Sequence, residues 1–136
     1  QYVNKTRARD ASWIIGEGIW KSEINGKGLR DMLRPGTAFN DSRIGKDPQP
    51  DHMDRYVKTT KDNGGVHINS GIPNRAFAEF ARSVGGYAWE GPAQVWFKAM
   101  SMSGRNPSFA QFAYATMKAA KDMGYSSYLP KLEAAW

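Results

Sequence analysis

The stretch INSGIPNRAFAEFARSVGG, residues 68–86, decides the fold. Ile68, Ile72, Ala76, Phe80 and Val84 recur at every fourth position, and Phe77 and Ala81 widen the stripe. Side chains at that spacing share one face of a helix, whereas a strand would bring alternate residues together, so the pattern predicts a helix. Gly85 and Gly86 end it. Pro73 lies inside the pattern. Its ring clashes with the preceding turn and it has no N–H to give, which predicts a kink or a helix that begins late.

The residues that follow keep the same period. Gly91–Met102 fits a second helix, with Pro92 in its first turn and Val95, Trp96, Ala99 and Met100 as its apolar face. A third begins at Asn106-Pro107, a capping residue followed by proline at the first helical position. It runs through Phe109, Phe112, Ala113, Thr116, Met117 and Ala120 to Gly124, and a shorter fourth covers Tyr128–Trp136. Successive helices joined by short loops predict a bundle. Residues 1–61 read differently, holding 12 of the 19 basic and 8 of the 13 acidic residues. Turn signals at Asn25-Gly26, Pro35-Gly36, Asn40-Asp41 and Asp47-Pro48-Gln49-Pro50 lie too close together for long helices. Only short elements fit between them, at Trp13–Trp20, Gly28–Leu33 and His52–Lys58. The expected fold class is mainly α: a helical bundle with an irregular, loop-rich N-terminal half.

Composition bounds the function. At 136 residues the chain suits a single domain over 1–136, since domains mostly hold about 100–150 residues. Hydrophobic residues make up 40% and aromatics 12%, enough for a packed core and too much for disorder. The chain has no cysteine, which excludes disulfides and Cys-based zinc sites. No apolar run reaches the ~18–20 residues of a membrane span. The net charge of +6 admits an anionic partner such as nucleic acid, yet it also lies within the ~2–8 of an ordinary solvated small domain. The first ten residues, QYVNKTRARD, start without Met and form no signal peptide, the look of a processed or engineered end of something longer.

Few residues can carry chemistry. The only histidines are His52, in the loop Pro50-Asp51-His52-Met53-Asp54, and His67. A catalytic zinc needs about three protein ligands, and no His-Glu-x-x-His motif is present. A phosphate-binding glycine loop is also missing, and nothing marks a nucleophile for a triad. One segment stands out: Asp62-Asn63-Gly64-Gly65-Val66-His67-Ile68-Asn69-Ser70-Gly71-Ile72-Pro73-Asn74. Asp62 or Asn63 suits a helix N-cap, with His67 one or two turns in. A carboxylate near the ring orients it and stabilises its charged form, which can polarise a carbonyl and hold an oxyanion. From residue chemistry alone, a capped helix start and an oriented catalytic histidine both remain open.

The same segment resembles one in the C-terminal domain of thermolysin-like metallopeptidases. Trp13-Ile14-Ile15-Gly16-Glu17-Gly18 and Gly26-Lys27-Gly28-Leu29-Arg30-Asp31-Met32 resemble two further stretches of that family. Asp54-x-Tyr56 upstream of Asp62, then Gly86-Tyr87-Ala88-Trp89-Glu90 and Trp96-Phe97-Lys98-Ala99, continue in the family's order. Gly45-Lys46-Asp47-Pro48-Gln49-Pro50 is similar to the small protealysin branch. The likeness covers nearly the whole chain.

The resemblance implies a zinc metalloendopeptidase of which this chain is the helical C-terminal domain, without the N-terminal half that carries the zinc ligands. It implies that His67 hydrogen-bonds the tetrahedral oxyanion and that Asp62 orients it. Arg30 would hold the substrate backbone carbonyl, and Asn63 would lie beside the cleft. Leu29, Ile15 and Ile19 would form the apolar wall of a pocket for a hydrophobic residue after the scissile bond. The implied partners are the N-terminal catalytic domain of the same protein and a peptide or protein substrate, with no nucleic acid and no membrane; secretion is the family habit. Calcium is not expected, because Ser12, Ile14 and Gly18 leave only Glu17 acidic where relatives place carboxylates, and calcium takes about six to eight oxygens. The fragment alone is expected to be inactive. The alternative is a non-catalytic basic helical binding module, which the pI near 9.7 supports and the lack of a basic stripe on any helix opposes.

Overall fold

In the computed structural model, which describes residues 1–136, four two-residue strands precede five α-helices. The strands are β1 (Ile14–Ile15), β2 (Arg30–Asp31), β3 (Asn40–Asp41) and β4 (Gly45–Lys46). The helices are α1 (Asp62–Asn69), α2 (Gly71–Val84), α3 (Gly91–Met102), α4 (Phe109–Asp122) and α5 (Leu129–Ala135). The fold is thus mainly α with a loop-rich N-terminal half. By contacts the chain forms two units, Ser12–Arg75 and Gln1–Ala11 with Ala76–Trp136, the boundary falling within α2. No helix is long and apolar enough to cross a membrane.

The helical unit packs around Phe80, Val95, Ala99, Ala115, Ala119, Ala120 and Leu132. Phe80, Val95, Ala99, Ala119, Ala120 and Leu132 are wholly buried. The alanines on α3 and α4 let these helices approach closely, and aromatic rings fill the remaining space. Trp96 stacks on Trp136 at 5.5 Å and meets Phe112 edge-on at 5.4 Å. The polar end of Trp136 is satisfied by the Thr116 hydroxyl at 3.1 Å. Burying a Phe side chain is worth roughly 1.5–3 kcal/mol from area alone. The first residues belong to this unit: the Ala8 N–H donates to the Gly86 carbonyl at 2.9 Å, and Tyr2 meets Trp89 edge-on at 5.1 Å.

Three helix boundaries show which local signals won. The break at Ser70 puts Pro73 in the first turn of α2, so the helix begins late rather than kinking. Helix α4 starts at Phe109, beyond the Asn106-Pro107 expected to open it. Ser108 accepts from the Gln111 N–H, and the Gln111 side chain accepts from the Ser108 N–H, so two otherwise unpaired donors are satisfied reciprocally. A 3-10 turn at Ser126–Tyr128 takes up the start of the last predicted helix, which then runs over Leu129–Ala135.

The Ser12–Arg75 unit is built from two antiparallel ladders and buried polar side chains. β1 pairs with β2 in the register Ile14↔Asp31 and Ile15↔Arg30, and β3 pairs with β4. Strands this short cannot hold a loop in place. Asp47, Gln49 and Asn69, each at most 4% exposed, do so by hydrogen-bonding distant backbone, while the buried Asp31 carboxylate accepts from the nearby Leu33 and Arg34 N–H groups.

Candidate functional site

The segment holding Asp62 and His67 is not an ordinary helix start. Asp62, Asn63, Gly64 and Gly65 all have positive φ, at 55°, 50°, 85° and 77°. Left-handed backbone costs an L-residue roughly 1–2 kcal/mol, Asp and Asn tolerate it better than most, and Gly is free of it. The composition Asp-Asn-Gly-Gly therefore makes four such residues in a row accessible. The turn closes as the Gly64 and Gly65 N–H groups both donate to the Lys61 carbonyl, at 3.1 and 2.9 Å.

This corrects the expected cap. Lys61 flanks α1 and caps nothing with its side chain, while Asp62 reaches forward over the left-handed turn. One carboxylate oxygen accepts from the His67 N–H at 2.8 Å, and the other meets His67 Nδ1 at 2.5 Å. A carboxylate only accepts, so Nδ1 carries a proton, and Nε2 is a donor when the ring is an imidazolium. The His67 hydrogen bond holds the Asp62 carboxyl below the usual carboxylate range; desolvation opposes it, and the His67 and Ile68 amides add to it. The imidazole stays 77% exposed, with its ring plane fixed by the acid and Nε2 bonded to nothing in the chain. Asn63 is exposed within the same turn.

The ladder of β1 and β2 gathers the second set of residues. The Leu29 N–H donates to the Ile15 carbonyl at 2.8 Å, and the Ile19 N–H donates to the Gly16 carbonyl at 3.1 Å. Ile15, Ile19 and Leu29 are 48%, 57% and 37% exposed along this ladder and the turn after β1. Arg30 follows at once, half-buried, with one guanidinium N–H donating to the Leu29 carbonyl at 2.7 Å and no carboxylate partner. No hydrogen bond or ion pair joins Arg30 directly to His67. A seam of polar groups around the buried Asp31, Asp47 and Gln49 links them instead; the sequence marks these three only as parts of longer stretches and gives none of them a role at the site. Asp31 accepts from the Thr37 hydroxyl; Asp47 accepts from the Gly36, Ala38 and Gln49 N–H groups; Gln49 Nε2 donates to the His67 carbonyl.

His52 Nδ1 accepts the Asp54 N–H and caps a 3-10 turn, and Glu17 accepts from the Ser12 hydroxyl. Nowhere do three His, Asp or Glu side chains come together to hold an ion. The chain does not fit a zinc site by itself.

The chain is thus a mainly α domain that exposes a carboxylate-oriented histidine, and an arginine without a carboxylate partner beside exposed apolar residues. All residues, 1–136, match the model of the thermolysin metallopeptidase alpha-helical domain, and the chain belongs to that family. It is 43% identical over 127 residues to Protease PrtS of Photorhabdus sp. (strain Az29), covering 90% of this chain and 34% of that protein. It is 44% identical over 122 residues to the Extracellular metalloprotease of Pectobacterium carotovorum subsp. carotovorum, covering 88% of this chain and 35% of that protein. Among solved structures, the precursor of protealysin, a metalloproteinase from Serratia proteamaculans, superimposes with a TM-score of 0.96 at 47% identity, over 100% of this chain and 43% of that one. The chain spans about a third of the length of these two curated relatives.

Proposed function

We propose that this chain forms the primed-side wall of the substrate cleft in a zinc metalloendopeptidase, the zinc being held by the N-terminal catalytic domain of the same protein. His67 donates through Nε2 to the oxyanion that develops on the scissile carbonyl. Asp62 fixes the ring and balances its positive charge. Arg30 holds a substrate backbone carbonyl with its free guanidinium donors, and Asn63 bonds the substrate backbone beside it. Ile15, Ile19 and Leu29 take a hydrophobic side chain after the scissile bond. The names of relatives that describe them as extracellular support secretion.

The observation that carries the reading is the exposed imidazole held by the half-buried Asp62 carboxylate. A histidine kept for packing would be enclosed, whereas this one is fixed in plane and left open. In the full-length protein, His67→Ala should lower kcat about 10²–10³-fold, the loss typical of one oxyanion donor, with zinc content unchanged by elemental analysis. A near-normal kcat would overturn the assignment.

A further inference from the structure

We infer that Gln49 is a positioning residue for His67, an assignment that rests on the function proposed above. Gln49 sits between Pro48 and Pro50 and is only 4% exposed. Its amide nitrogen forks to the His67 carbonyl at 2.9 Å and the Ser70 hydroxyl at 2.8 Å. The Ser70 hydroxyl itself donates to the His67 carbonyl at 3.1 Å, so it offers Gln49 a lone pair. Both partners are acceptors, which fixes the amide with its nitrogen toward His67. Its oxygen is then left buried with no partner.

That orphan oxygen is the informative feature. A side chain serving only to fill space there would avoid it, because an unpaired buried carbonyl is unfavourable and methionine has a similar shape without it. What the amide contributes is a hold on the last turn of α1, where carbonyls lack helical partners. The other end of the tie is equally fixed. The Gln49 N–H donates to Asp47, which also binds the Gly36 and Ala38 N–H groups. Between those two residues, the Thr37 hydroxyl shares its proton between the Arg34 carbonyl at 2.7 Å and, at 3.1 Å, Asp31, the neighbour of Arg30. Gln49 thereby sets where the oxyanion donor stands relative to the arginine that holds the substrate. A misplacement of about 1 Å in such an arrangement can lower a rate on the order of 10²-fold.

The test uses the full-length enzyme with Gln49→Met, which keeps the volume and removes the donor. Gln49→Asn accompanies it, in case Gln49→Met does not fold; it keeps an amide but is a methylene too short to reach. The expected result is a kcat lowered about tenfold or more with KM within about twofold, since the lost contact matters in the transition state. The downfield proton resonance of His67 Nδ1 should also shift or broaden. An unchanged kcat and an unchanged resonance, with only a lower Tm, would overturn the inference and leave Gln49 a structural tie. His67→Ala, assayed in parallel, separates the two ideas. If it retains activity the functional reading fails, while the Nδ1 resonance still reports whether Gln49 positions the ring.

Discussion

Gly64 and Gly65 are adjacent, share a left-handed backbone, and should respond very differently to alanine. At Gly64, with φ 85°, an added Cβ meets nothing within 4 Å. Gly64→Ala therefore pays only the left-handed backbone, about 1–2 kcal/mol. At Gly65, with φ 77°, the same Cβ comes 2.9 Å from Asn69 Nδ2 and 3.0 Å from Thr59 Cγ2. Asn69 cannot swing away freely. It is 2% exposed, and its amide both accepts from the Val57 N–H and donates to the Val57 carbonyl, each at 2.9 Å. Displacing it breaks two hydrogen bonds, worth about 0.5–1.5 kcal/mol each. Adding these to the backbone term puts Gly65→Ala at roughly 2–5 kcal/mol.

The assay is urea unfolding followed by tryptophan fluorescence. With a slope of about 1–3 kcal/mol per molar, the two midpoints should differ by roughly 1 M. In an Asn69→Ala background most of the difference should vanish, because the clamp is already gone; the coupling energy should be about 1–3 kcal/mol. Equal midpoints in the wild-type background would refute the reasoning, as would an undiminished gap without the Asn69 side chain. The result bears on function because Asn69 braces the turn that presents His67.

The helices were legible because their signal is local and repeated. Val95 and Ala99, or Phe80 and Val84, are one turn apart in sequence and in space. Helix α3 accordingly has the bounds read from the sequence, Gly91–Met102. Helix α4 opens later than its sequence suggests because Asn106-Pro107 and Ser108-Gln111 both spell a helix opening, and only the second satisfies two donors at once. Asp62 and His67 could be paired on paper, being five residues apart, but Asp-Asn-Gly-Gly is equally good composition for a cap and for a left-handed turn. The ties that hold the site were invisible for a different reason. Gln49 finds its partners 18 and 21 residues away, and Asn69 finds Val57 12 residues away. A buried amide bonded to distant backbone leaves no periodicity, and its residue type alone says only that it is polar. The strands of the β1–β2 ladder, two residues each, are likewise too short to show alternation.

Two further outcomes follow from the charges. Arg30→Lys in the full-length enzyme keeps the charge and loses the fork, so kcat/KM for a peptide should fall about 10–100-fold, as for a lost charged hydrogen bond. Folding should be untouched, because the guanidinium bonds only the adjacent Leu29 carbonyl; an unchanged kcat/KM would remove Arg30 from the site. The second outcome concerns acid. Asp41 lies well below the ordinary carboxylate range through its hydrogen bond from Arg43, and Asp62 lies below it through His67. For Asp51 burial pushes upward, but the Arg55 hydrogen bond, with Arg55 and Arg75 charges, brings the net shift down. A carboxyl that is more acidic folded than unfolded adds stability that is complete above its unfolded value and is lost as pH falls through its folded one. All three start from an ordinary value of 3.8 and lie within Ser12–Arg75, so Tm should hold above about pH 5 and fall as pH drops below about 4. Replacing the three with Asn should lower Tm at neutral pH and flatten its decline in acid. A decline as steep as the parent's would show that other groups govern acid unfolding, and that the Asp62–His67 contact is not among the bonds the acid breaks.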